Sequence, residues 1–340
     1  MGPVRALRYS GGVLLALDQT RLPWAEVELE LGDAASVAAA IRRLAIRGAP
    51  LIGIAAAYGV ALAVARDPDD LDRACATLAG ARPTAVNLSY AVNRVRAAVA
   101  AGPASQAAQL ALTEAEAIEA QEVAASRAMA THGADWLAGR RRLLTHCNTG
   151  ALAAPGRGTA LGVIAELCDR GELEGVVVCE SRPLLQGARL TVYELARLGI
   201  PHELIVDGAA AGLIAAGEAD AVVVGCDRVA ANGDVANKVG TYAHALAAAA
   251  AGIAFVVVGP TSTIDPDCPS GAPIEIEARD PAEVLSASTG PDGVRAPLAP
   301  AGTPARNPAF DVTPAALVSA LVTEVGVVSP AAGESVLSLL

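Results

Sequence analysis

Residues 219–240 read ADAVVVGCDRVAANGDVANKVG, and their first half decides the fold. AVVVG is an uninterrupted apolar run of strand length, the pattern of a strand buried on both faces of a parallel sheet. Asp227 follows two residues after it, where a strand would present its carboxyl end. Four further runs end in the same way: RRLLTH in Cys147 and Asn148, EGVVVC in Glu180 and Arg182, HELIV in Asp207, and IAFVVVGP in Thr261 and Ser262. Between them lie helical patterns, TALGVIAELCDRG, LLQGARLTVYELARLG, GAAAGLIAAG and NKVGTYAHALAAAAAG, several closing on Gly as a helix terminus does. Alternation of this kind predicts a Rossmann-like, doubly wound parallel sheet whose polar residues converge on one rim, the edge where open α/β sheets bind ligands.

The amino-terminal part reads differently. ALRYSGGVLLALDQTRLPWAEVELEL predicts two or three short antiparallel strands, and four helical patterns follow, beginning at Asp33, Pro50, Ala85 and Ser105. The fold class expected is therefore α/β: a mostly helical unit over 1–137 with a few short strands, then the α/β unit over 138–340. The Pro- and Gly-rich stretch 265–307 reads as a long loop with short elements, and FDVTPAALVSALVTEVG as a final helix. The uncharged stretches 48–65 and 239–264 are read as buried elements rather than membrane spans, the first being rich in Ala and Gly and the second broken at Gly252.

Composition narrows the function classes. With 340 residues a sizeable core is expected, and 53% hydrophobic against 3% aromatic content makes it aliphatic and small-residue packed. A net charge of -11 argues against nucleic acid and anionic membrane as partners, which need a basic footprint. The six cysteines, at 75, 147, 168, 179, 226 and 268, form no C-x-x-C pair and no zinc spacing, so reduced thiols, no metal and a cytoplasmic location are expected. GRGTALG at 156–162 departs from the dinucleotide fingerprint and lacks the acidic ribose ligand that follows it, so no organic cofactor is expected either. One anion site is legible without further help. Arg47-Gly48-Ala49-Pro50 precedes a helical pattern, and a helix amino terminus with an adjacent Arg and a permissive Gly attracts phosphate.

The segments IRGAPLIGIAAAYG, ARPTAVNL, THCNTGALA, ESRPLLQGARLT, GCDRVAANGDVANKVGTY, GPTSTID and NPAFDVTP, part of a match that runs in order from about Leu17 to Pro314, resemble the motif series of the S-methyl-5-thioribose-1-phosphate isomerases of methionine salvage. Regulatory subunits of a translation initiation exchange factor and ribose-1,5-bisphosphate isomerases share that fold family. Three departures are visible: Thr149 where Ala is usual, Cys226 where Ala is common, and VDGAAAGLI as a loose version of its segment. None removes a reactive group. The resemblance implies Asp227 and Cys147 as catalytic residues, and Arg47, Gly48, Ala49, Arg82, Gln186, Asn237 and Lys238 as substrate contacts.

The implied substrate is a furanose whose anomeric carbon is blocked as a phosphate ester, so the ring must open before hydrogen moves from C2 to C1. An Asp can protonate the ring oxygen only if burial raises its pKa, which suits Asp227. Cys147, placed after a strand and before a helix whose amino terminus favours a thiolate, is the expected base or hydride-shift partner. His146 is not assigned as the base, since strand neighbours point to opposite faces. The expected assembly is a homodimer. The alternatives are a ribose-1,5-bisphosphate or 5-deoxyribose-1-phosphate isomerase, and a non-catalytic subunit that senses sugar phosphate.

Overall fold

The structure, a computed structural model, describes residues 4–82, 86–288, 290 and 294–340. Residues 83–85 of the ARPTAVNL motif lie outside them. The chain opens with an antiparallel sheet of β1 (Leu7–Ser10), β2 (Val13–Leu17) and β3 (Glu28–Leu31). Helices α1 (Ala34–Arg42), α2 (Ala49–Arg66), α3 (Leu71–Ala79), α4 (Val86–Ala100) and α5 (Ala107–Trp136) follow. Asp33 caps α1 by accepting from the Ser36 amide, and the Ser36 hydroxyl returns a bond to the Asp33 backbone. α3 was not legible as a separate helix. α2 is long and apolar enough to cross a membrane, yet 83% of it is buried inside the protein. Its Ala and Gly positions let neighbours close in: a Cβ on Gly53 would press on the Asn87 carbonyl of α4.

From Arg142 onward strands and helices alternate: β4 (Arg142–Thr145), α6 (Ala160–Asp169), β5 (Gly175–Cys179), α7 (Val192–Leu198), β6 (His202–Ile205), α8 (Ala210–Ala215) and β7 (Ala221–Gly225). A single π-helical turn, Gly187–Thr191, leads into α7. Next come β8 (Arg228–Ala230), β9 (Val235–Lys238), α9 (Thr241–Ala251), β10 (Ala254–Val258) and β11 (Ile264–Asp265). The chain finishes with α10 (Ala282–Leu285), β12 (Ser286–Ser288), β13 (Arg295–Pro297), β14 (Phe310–Thr313), β15 (Ala320–Val322) and β16 (Val327–Val328).

The main sheet has the order β16-β15-β10-β7-β4-β5-β6, parallel throughout except for β16. Its two faces are buried in separate clusters, as the period-2 alternation of side chains requires. Val223 and Val256 pack with α5 and α6 through Met129 and Ile164, while Val222, Val224 and Phe255 pack with α8 and α9 through Ile214 and Ala248. The chain winds outward from β4 to β6 and then returns to the other side of β4 with β7, β10 and β15. The direction therefore reverses between β4 and β7, which are hydrogen-bonded neighbours. A second sheet, β11-β8-β9-β14, grows directly from the end of β7.

Two expectations need correction. NKVGTYAHALAAAAAG is not helical from its start: Asn237 and Lys238 belong to β9, whose partner β14 pairs Phe310 with Lys238, and α9 begins only after Gly240, at φ 105°. The supposed final helix FDVTPAALVSALVTEVG is two strands, β14 and β15, around a short turn. Pro314 cannot continue the ladder, the Asp234 carboxylate accepts from the next amide at 2.9 Å, and ALV finds its partners on β10.

Candidate active site

All nine residues singled out in the sequence line one cavity of about 80 Å³ above the point where β4 and β7 diverge: Arg47, Gly48, Ala49, Arg82, Cys147, Gln186, Asp227, Asn237 and Lys238. Cys147 lies two residues past β4 and Asp227 two residues past β7. Cys147 does not sit at a helix amino terminus as expected, because α6 starts only at Ala160. Instead its backbone takes the left-handed region, φ 64°, a conformation costly for a non-glycine residue and held here from both sides. The Cys147 amide donates to Ser181 Oγ at 2.7 Å, and the Thr191 hydroxyl donates to its carbonyl at 2.6 Å. Ser181, itself at φ 64°, is fixed through its own amide, which donates to Asp207 at 2.8 Å.

His146 is likewise past the end of β4, so the strand-face argument against it does not apply. Its two ring nitrogens lie 2.9 Å from the Val239 carbonyl and 3.3 Å from Ser181 Oγ, and burial holds its pKa down to about 4. It is a neutral support of the loop. With Cys179 and His244 it forms a buried trio of ligand types whose donor atoms lie within 4.8 Å of one another. The His146 nitrogens are already engaged, so a metal would have to displace a structural hydrogen bond. Exhaustive chelation is accordingly expected to leave turnover within about twofold of the untreated protein; full loss restored by one divalent ion would overturn this.

The anion end is built on α2. Gly48 caps it at φ 95° with no side-chain hydrogen bond, and Pro50 occupies its first turn. A Cβ on Gly48 would collide with the Ala153 backbone, so only glycine lets this terminus approach the loop after β4. Arg47 donates to Asn148 Oδ1 at 2.6 Å and to its carbonyl at 2.8 Å, and Asn148 in turn donates to Glu194 at 2.7 Å. Glu194 is wholly enclosed, and burial pushes its pKa up to about 7 against the lowering effect of its hydrogen bonds. Arg82 is held by Glu277 at 2.6 Å, and Glu277 also pairs with Arg279 at 3.0 Å.

Lys238 is buried, donates to the Ala309 carbonyl at 2.9 Å and lies 4.8 Å from the centre of the Phe310 ring. Burial pulls its pKa down, while Cys147 and Asp227 push it back up. Asp227 has the opposite balance: burial raises its pKa above the usual carboxylate range, and Lys238, Arg82 and Arg47 restrain the rise. Asn237 is fixed by its bond to Thr241 Oγ1 at 3.0 Å. The two departures nearest the cavity leave it open. The Thr149 hydroxyl accepts from the Leu161 amide at 3.2 Å, and the Cys226 thiol lies 3.4 Å from Thr263 Oγ1. Sequence reasoning placed Asn148 on the rim without a role and missed Glu194, Glu277 and Arg279, none of which carries a local signal; Glu277 is 195 residues from Arg82.

A phosphate-ready helix terminus, a buried acid, a thiol and a buried cation on one cavity define a sugar-phosphate enzyme of the α/β class. The Initiation factor 2 subunit family matches residues 45–330. A methylthioribose-1-phosphate isomerase of Syntrophotalea carbinolica is 49% identical over 337 residues, spanning 96% of this chain and 96% of that protein. The crystal structure of 5-methylthioribose 1-phosphate isomerase from Pyrococcus horikoshii OT3 superposes with a TM-score of 0.87 at 38% identity, over 96% of this chain and 92% of that one. That of translation initiation factor eIF-2B, subunit delta, from A. fulgidus gives 0.86 at 36% identity over 99% of both. The chain belongs to the Initiation factor 2 subunit family, among its methylthioribose-1-phosphate isomerases.

Proposed function

We propose that the protein is an aldose–ketose isomerase converting 5-methylthioribose 1-phosphate to 5-methylthioribulose 1-phosphate, with Asp227 as general acid and Cys147 acting at C2. The observation carrying this reading is the placement of Cys147 and Asp227 at the ends of the two neighbouring strands where the sheet reverses, with Lys238 charge-coupled to both. Asp227 protonates the ring oxygen as the C1–O bond of the ring breaks. Hydrogen then leaves C2 and arrives at C1, either through Cys147 as base and an enediolate, or as a hydride moving directly past it; in both routes the C2 hydroxyl loses its proton as the C2 carbonyl forms, and Asp227, ionised by the ring opening, takes that proton back. Product formed in D₂O separates the two, since only the first route admits solvent deuterium at C1. No external oxidant or reductant is involved.

Arg47, the α2 terminus at Gly48 and Ala49, and Arg82 hold the phosphate, while Gln186 and Asn237 meet the sugar hydroxyls. Arg47→Ala is expected to raise KM by about 10- to 100-fold with a smaller change in kcat, because the phosphate is held alike in ground and transition states. Steady-state kinetics check it, and an unchanged KM would remove Arg47 from the phosphate site.

Assay of the purified protein against methylthioribose 1-phosphate, 5-deoxyribose 1-phosphate and ribose 1,5-bisphosphate tests the activity. Turnover of none of them would leave the second reading, a non-catalytic sugar-phosphate sensor. Such a sensor needs the anion site but neither Cys147 nor Asp227.

The order of the six parallel strands, renumbered from β4 as 3-2-1-4-5-6 with the antiparallel β16 at the edge, supports a Rossmann-like doubly wound unit over 138–340 joined to the helical unit over 1–137. A cytoplasmic location goes with the six unpaired thiols. For the homodimer, the apolar helix α2 is spent on the protein's own core, whereas Leu204 and Val206 at the β6 edge and Tyr242 and Leu246 on α9 stay exposed. Light scattering is expected to give twice the 34.0 kDa chain mass at micromolar concentration, and a monomer mass would count against it.

A further inference from the structure

The trio of His146, Cys179 and His244 draws together elements far apart in the chain: His146 directly follows β4, Cys179 closes β5 and His244 belongs to α9. A fourth group stands beside them. Asp207, two residues beyond β6, places its Oδ1 3.8 Å from His146 Nδ1, and its carboxylate also acts on the Cys179 thiol and the His244 ring. β4, β5 and β6 are consecutive neighbours in the main sheet, so three of these groups come from adjoining strand ends. Two imidazoles, a thiol and a carboxylate suit a tetrahedral cation of the zinc class, whereas hard ions such as magnesium favour oxygen alone.

One donor is already waiting for a partner. His244 is only 4% exposed, and among the described residues its Nε2 has no hydrogen-bond partner. A buried ring nitrogen left in that state is costly, and a bound cation would answer it. The donor atoms of the trio lie within 4.8 Å of one another, and metal bonds of about 2.0–2.3 Å in a tetrahedron would set them about 3.3–3.8 Å apart, so closure by about an ångström suffices. His146 gives up little in the process. The Ser181 hydroxyl, 3.3 Å from His146 Nδ1, also lies 3.2 Å from the Cys179 carbonyl and can donate there instead. A thiolate and a carboxylate balance a divalent charge, the Cys179 thiol proton passing to solvent as the sulfur–metal bond forms. The Asp207 side chain is 27% exposed, which gives cation and proton their path.

We propose that this cluster is an inhibitory site for a thiophilic divalent cation of the zinc class, ligated by His146, Cys179, His244 and Asp207. Its effect runs through Ser181. The Cys147 amide donates to Ser181 Oγ at 2.7 Å, and Asp207 fixes that segment by accepting from the amides of Ser181 at 2.8 Å and Arg182 at 2.7 Å. A cation that draws His146 and Asp207 together therefore shifts the support of the left-handed turn at Cys147, the residue next to His146. Misplacing a reacting group by about 1 Å costs on the order of 100-fold in rate. The metal-free form is thus the one that turns over, so chelation costs no activity and addition of the cation does. The site itself stands apart from the sugar-phosphate reading, and only its effect on turnover rests on that reading.

Zinc titrated into the metal-free protein tests the inhibition, and cobalt(II) titrated into a parallel sample reports the ligands through its thiolate-to-metal charge-transfer band. A single equivalent is expected to bind, to lower turnover by at least about tenfold and, as cobalt, to give the band. Cys147→Ser should keep the band, since that thiol lines the reaction cavity instead. Cys179→Ala and His244→Gln should lose it at the same cobalt concentration, and should keep turning over at zinc concentrations that silence the parent. Circular dichroism checks their folding, and if the variant at buried Cys179 does not fold, His244→Gln decides alone. No band in the parent, its survival in Cys179→Ala or His244→Gln, its loss in Cys147→Ser, or full turnover with the site filled overturns the proposal. Should the parent turn over no sugar phosphate, the isomerase reading fails instead, and the site is judged on the cobalt band in parent and variants.

Discussion

Asp227→Asn is expected to lower kcat by about 10²- to 10⁴-fold while KM changes by less than about threefold, and Cys147→Ser to do the same, the scale of a lost general acid or base. The amide of Asn keeps the shape of the Asp227 side chain but has no proton to give to a ring oxygen. Serine keeps the small polar group in the strained loop held by Ser181 and Thr191, but with a hydroxyl in place of the thiol. The two losses should not add, since residues serving one bond rearrangement act as a unit. The pH profile carries the sign. Burial is the largest influence on Asp227 and raises its pKa, so the acid stays protonated to higher pH than an ordinary carboxylate. Activity that needs the protonated form is present below the raised pKa and lost as pH climbs through it. The alkaline limb of kcat/KM therefore belongs to Asp227 and should vanish in Asp227→Asn, leaving a low, flatter profile. Near-normal turnover in Cys147→Ser would mean that the thiol is only packed beneath the cavity, even if the isomerase assignment stands.

Much of this arrangement is written locally in the chain. AVVVG, GVVVC and AFVVV are continuous apolar runs because both faces of the sheet are covered, and the polar residue after each run marks the rim. RGAP before α2 is a helix start whose glycine has one physical use, close approach of backbone to ligand and loop. What stayed hidden depends on contacts far apart in sequence. NKVG and FDVT look like helix and helix start alone, and become strands only because each supplies the other's ladder. The left-handed turn at Cys147 is imposed by Ser181 and Thr191, 34 and 44 residues away, and not by any turn-forming residue of its own. Glu194 reads as an ordinary acid on an amphipathic helix, yet it is enclosed beneath Asn148 and through it orients Arg47. Arg279 and Glu277 lie in a stretch legible only as loop.

Lys238→Met is expected to lower kcat by about 10²- to 10³-fold, the effect of removing one preorganised charge from a water-poor site, and to raise KM as well if the ammonium also meets the phosphate. Met fills nearly the same volume, so the packing against Phe310 is retained and the change is mainly one of charge. Within the protein the ammonium faces two groups on which negative charge can develop, Cys147 and Asp227. It is also the largest restraint on the raised pKa of Asp227. Once it is removed, that pKa has only Arg82 and Arg47 to hold it down and must rise further. The alkaline limb of the pH profile should thus move to higher pH even as the plateau falls, a combination that a merely structural defect does not produce. Lys238→Arg is not expected to rescue the loss, because the guanidinium fork is larger and cannot reproduce the point charge set between the Ala309 carbonyl and the ring. A Met variant with kcat within about threefold of the parent and an unmoved alkaline limb would show that the acid works without this cation, and Asp227 would then owe its protonation to burial alone.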